Sequence, residues 1–157
     1  MRLSTITAIF KPPRVRRPGL KDIIPFFLSL GCLLLTALLV SVAESFLPAG
    51  ELGPARPTGF VVWAITIVLC LFTGYWEEGF FRMYFLTVCD RAGIGKCASV
   101  LISSLAFAFC HYYEGMPGMV NAGVAGVVLS IIYLKTESYH GLALAHSAYN
   151  ILAFALA

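Results

Sequence analysis

Residues 23–46 carry one charged side chain, Glu44, in twenty-four positions. Four further stretches resemble it, and together they limit the chain more than any other feature. Lipid offers backbone amides no hydrogen bonds, so about 20 apolar residues in a row cross about 30 Å of hydrocarbon as a helix or not at all. Residues 60–89 make a second run with three charges inside it, Glu77, Glu78 and Arg82, while residues 97–113, 119–134 and 142–157 carry no formal charge. The pattern predicts an all-α polytopic membrane bundle of about five transmembrane helices. Helix-stopping or charged residues mark the breaks at Pro48, Gly50, Gly53, Pro54 and Pro57, at residues 90–96, at Gly115, Pro117 and Gly118, and at residues 135–141.

Composition agrees. Mean hydropathy is +0.86 and only 12% of residues are charged, about half the usual share of about 25%. That excludes a disordered chain, a collagen-like fibre and a small disulfide-stapled fold. Six of the eleven basic residues (Arg2, Lys11, Arg14, Arg16, Arg17, Lys21) fall in the first 22 positions. We expect residues 1–22 to be a basic cytoplasmic tail on anionic lipid, not a nucleic-acid face, and residues 23–157 to be a single membrane domain. With the tail inside, the inner segments hold six, two and one Lys or Arg and the outer ones only Arg56, the distribution of a multi-pass protein of a cell inner membrane with its N-terminus in the cytoplasm. Ser41-Val42-Ala43 resembles a small-residue cleavage site, but the long basic lead and long apolar run predict an uncleaved anchor. The five cysteines form no CxxC pair and are expected to be buried, inert thiols. Ala122, Gly123, Gly126 and Ser130 provide small-residue spacing for close packing of the fourth stretch.

Chemistry belongs where charge is costly. At about 2.5 to 3.5 kcal/mol each, Glu77, Glu78 and Arg82 represent roughly 8 to 10 kcal/mol before compensation. Glu78 and Arg82, four apart, can pair on one helix face; Glu77, about 100° away, is left as the unpaired carboxylate. Its own stripe includes Gly74, which lets another helix or a substrate come near. A carboxyl in so poorly solvated a site suits a group that must both take and give a proton. Phe107 and His111, four apart, share a face, as do His146 and Asn150. By rise per residue Glu77 stands about 20 Å from Asp90 and His111 about 22 Å from Lys96, whereas His146 is only about 8 Å into the last stretch. That is too shallow unless residues 139–141 already enter the membrane or the second helix tilts.

Glu77-Glu78-x-x-x-Arg82, Phe107-x-x-x-His111 and His146-x-x-x-Asn150, in that order on successive apolar stretches, resemble the CPBP family of intramembrane proteases. That family groups type II CAAX prenyl endopeptidases with bacteriocin-processing and self-immunity proteins. The resemblance makes residues 60–157 a protease-like core. It implies that Glu77 and His111 activate a water, that His146 and Asn150 hold the oxyanion, and that Glu78, Arg82 and Phe107 support them. It also implies a membrane-anchored peptide or protein substrate. Members are often named metalloproteases, and Glu77, His111 and His146 could hold a zinc ion, but the resemblance favours a glutamate mechanism without a cofactor. There is no HExxH, no GxSx nucleophile turn and no membrane aspartate pair, Asp22 and Asp90 both lying at stretch ends. Two other functions remain open: a non-catalytic immunity or scaffold protein, and a small proton or ion carrier.

Overall fold

The structure, a computed structural model, describes residues 7–45 and 55–157. The expected breaks at Pro48, Gly50, Gly53 and Pro54 lie outside the described residues. Among those residues every regular element is helical, so the all-α expectation holds. A 3₁₀ turn, Leu20–Asp22, leads into α1, Ile23–Glu44; α2 is Phe60–Glu77, α3 Phe85–Arg91, α4 Lys96–Cys110, α5 Gly115–Thr136 and α6 Tyr139–Leu156. A π-helical turn, Glu78–Tyr84, joins α2 to α3, so Phe60–Arg91 is one rod of 32 residues.

Among the described residues, three helical segments are long and apolar enough to cross a membrane: Leu20–Glu44, Phe60–Arg91 and Tyr112–Thr136. The expectation was about five. Helix α4 is apolar but has only 15 residues, and α6 falls short in hydropathy because it carries His140, His146 and Asn150.

Two expected breaks are narrower than the sequence implied. Helix α5 starts at Gly115 and takes Pro117 and Gly118 into its first turn, where a proline removes no intrahelical hydrogen bond. Helix α6 starts at Tyr139, not after Gly141. Only Glu137 and Ser138 separate it from α5, Glu137 taking the left-handed conformation (φ 50°) that commonly ends a helix.

Helix α6 packs against α1 and α2, and α5 packs against α4 and α1. Gly74 is where α2 meets α6: a Cβ there would lie 2.3 Å from Ser147 Oγ and 2.8 Å from the Ala143 carbonyl. The close neighbour that Gly74 admits is thus a helix. Gly126 plays the same part for α5, with Ser104 Cα 3.1 Å from its would-be Cβ. The interior has two apolar clusters, one of Leu33, Ala125, Leu129, Ile132 and Leu142, the other of Phe81, Phe107 and Ala122. Cys70 and Cys89 are buried and Cys32 is half-buried, but Cys97 and Cys110, at the two ends of α4, are exposed, so burial holds for only part of the set.

The N-terminal segment is tied across one end of the bundle. Arg91 donates to the carbonyls of Ile9 (3.5 Å) and Lys11. Asp22, 6% exposed, accepts from Arg16 (2.8 Å), from the Gly19 amide (2.8 Å) and from the Ser138 hydroxyl (2.5 Å). The His140 Nε2–H donates to the Arg16 carbonyl at 2.7 Å.

Candidate active site

Three segments deliver the polar groups. The α2 end and the π-turn bring Glu77, Glu78 and Arg82, α4 brings Phe107 with His111 at its C-terminal boundary, and α6 brings His146 and Asn150. Their meeting point is His146, 5% exposed. Its Nδ1–H donates to Glu78 Oε1 at 2.8 Å, and its Nε2 faces Glu77 Oε2 at 3.5 Å. One imidazole therefore sits between two adjacent carboxylates. On a bare helix these residues point about 100° apart, but a ring has nitrogens on two edges and can touch both. Helix α6 starts at Tyr139, so His146 stands seven residues, about 10 Å of helix rise, from its beginning, and at that height it meets Glu77 and Glu78.

Glu78 and Arg82 form the expected i, i+4 ion pair, Nη1 to Oε1 at 3.1 Å, and neither side chain is exposed beyond 1%. The guanidinium carbon also stands 4.3 Å over the Phe107 ring, a cation–π contact strengthened by exclusion of water. Phe107 joins the three parts of the site, because its ring lies 4.5 Å from that of His111 and 6.0 Å from that of His146. His111 donates Nδ1–H to the Phe107 carbonyl at 2.8 Å, leaving Nε2 as the basic nitrogen. No hydrogen bond links His111 to Glu77, although the two are near enough to act on each other electrostatically. Asn150, one turn beyond His146 on α6, is partly buried and makes no hydrogen bond with the described residues.

Glu77 Oε2, Glu78 Oε2 and the Arg82 nitrogens are buried without a hydrogen-bond partner among the described residues. Buried polar atoms are costly to leave unpaired. No three His, Cys, Asp or Glu side chains among the described residues group as metal ligands.

Two supporting hydroxyls escaped the sequence reading. Ser103 on α4 donates to the Phe81 carbonyl, and Tyr139 on α6 donates to the Tyr75 carbonyl, each at 2.9 Å. A signal for both was present: Ser103 precedes Phe107 by one turn and Tyr139 precedes His146 by two.

No curated protein and no solved structure matches the chain. A family profile described as type II CAAX prenyl endopeptidase Rce1-like matches residues 59–152, the stretch that holds every one of these site residues. That match covers more than half of the sequence, and the chain belongs to this family of membrane-embedded CAAX-type proteases.

Proposed function

We propose that this protein is an intramembrane endopeptidase in which Glu77 activates the attacking water. The observation that carries this reading is the His146 ring lying between the carboxylates of Glu77 and Glu78. Amide hydrolysis needs a base for water, donors where negative charge develops, and a proton for the leaving amine. Glu77 takes a proton from water, assisted by the free Nε2 of His111, and the resulting hydroxide adds to the scissile carbonyl. The oxyanion accepts hydrogen bonds from His146 Nε2–H and the Asn150 amide. For that role His146 must carry a proton on both nitrogens, because Nδ1–H is already given to Glu78. Glu77 then returns the proton to the leaving nitrogen as the C–N bond breaks. Glu78 holds His146 in register while Arg82 balances its charge. In this reading the chain's own residues suffice and no resident metal is assigned.

The substrate is a membrane-anchored protein or peptide, of CAAX type by membership of the family. The basic tail, together with Arg91, Lys96 and Lys135, favours a cytoplasmic N-terminus against anionic lipid of a bacterial-type inner membrane.

Glu77→Gln keeps the shape and removes the base. Cleavage of membrane-anchored CAAX peptides by protein reconstituted in vesicles, free of stoichiometric zinc by elemental analysis, is expected to fall by about 10²-fold or more in this variant. Undiminished cleavage by the variant, with an unchanged unfolding midpoint, overturns the assignment.

A further inference from the structure

The π-turn that carries Glu78 and Arg82 is itself held from outside. Its last amide, Phe85 N–H, reaches back five residues to the Phe80 carbonyl, whereas the α-helix resuming at Phe85 counts back four. The change of count passes over one carbonyl, that of Phe81. A buried carbonyl without a partner is costly, and this one is taken by the hydroxyl of Ser103, a residue 1% exposed on α4. At the other end of the turn the Glu78 amide is shared between the carbonyls of Gly74 and Tyr75, and the Tyr75 carbonyl also accepts the Tyr139 hydroxyl. Gly79 faces the Tyr139 ring here. A Cβ at Gly79 would stand 3.3 Å from the Tyr139 oxygen and 3.6 Å from its ring.

The two hydroxyls share helix faces with the site's rings. Ser103 is four residues before Phe107, which stacks on Arg82, and Tyr139 is seven before His146, which bonds Glu78. Single-turn π-bulges are rare and concentrate at functional sites. We infer that Ser103 and Tyr139 are positioning residues that clamp the π-turn from both ends, so that the Glu77, Glu78 and Arg82 side chains face His146 and Phe107 together. This rests on the protease reading only for its catalytic readout.

The test compares Ser103→Ala and Tyr139→Phe with Ser104→Ala in vesicles, using the CAAX peptide that the wild-type protein cleaves. Ser104 is an equally buried neighbour whose hydroxyl bonds only Val100 of its own helix. Each clamp variant is expected to lose about tenfold or more in kcat with KM within twofold. Ser103→Thr, which keeps the hydroxyl, regains most of the rate, and Ser104→Ala matches wild type. Amide hydrogen exchange over residues 79–86, which needs no substrate, quickens in both clamp variants and not in Ser104→Ala. Wild-type kcat in Ser103→Ala and Tyr139→Phe, or unchanged exchange over that segment, overturns the clamp. If wild-type protein cleaves nothing, the protease reading fails while exchange still decides the clamp.

Discussion

Arg82 is a whole positive charge with no exposed surface, pressed between a carboxylate and an aromatic face. Removing one member of such a pair leaves the other charge buried alone, which costs about 3–5 kcal/mol, whereas removing both together is far milder. Arg82→Met is therefore expected to destabilise the protein by about that much in micellar denaturant unfolding, with Glu78→Gln/Arg82→Met recovering a substantial part of the loss. A double variant no more stable than the single one would deny the pair its role. Phe107→Leu keeps the ion pair and forfeits the ring, for a loss on the order of 1–2 kcal/mol. This pair was legible in the sequence because i, i+4 spacing is geometry that any helix enforces. The contact of His146 with both glutamates was not, because it depends on where another helix sets a ring between two diverging side chains.

At the scale of elements, the apolar runs and their order could be read directly, but the π-turn could not. Hydrogen-bond register leaves no mark on hydropathy, and Glu78–Tyr84 has the composition of ordinary helix. The start of α6 was hidden for a related reason. Ser138 and the residues beside it look like a polar loop until Asp22, 116 positions away, supplies a buried partner for the serine hydroxyl. Gly74, by contrast, was legible as a close approach, and its cost can be measured. Because a Cβ there would collide with Ser147 Oγ and the Ala143 carbonyl, Gly74→Ala forces α2 from α6 and is expected to lose about 1–3 kcal/mol of stability. Cleavage should fall with it, since Ser147 adjoins His146. The matched control, Gly31→Ala on α1, meets nothing within 4 Å and is expected to be neutral or to gain up to about 1 kcal/mol from helix propensity. Equal unfolding midpoints for the two variants would contradict the packing argument.

Across the whole molecule, most of the basic residues gather at one end, and a buried carboxylate ties the basic segment down there. Asp22 links the chain before α1 to the start of α6 through Arg16, Gly19 and Ser138, while His140 holds the Arg16 carbonyl from the other side. Asp22→Asn keeps the size of the side chain and removes its charge, so the ion pair with Arg16 is lost and the remaining hydrogen bonds weaken. Hydrogen bonds to charged groups contribute about 1.5–3 kcal/mol, and that much less resistance to local opening raises the open population roughly 10- to 100-fold. Proteolysis follows the open population when opening and closing are fast, and the segment offers trypsin Arg14, Arg16 and Lys21. Trypsin added to inside-out membrane vesicles is expected to cut this segment at least tenfold faster in Asp22→Asn than in wild type, with little cutting in right-side-out vesicles. Equal rates for the two proteins would mean that Asp22 does not hold the segment. Cutting only from the opposite face would reverse the orientation drawn from the basic residues, while leaving the tie itself intact.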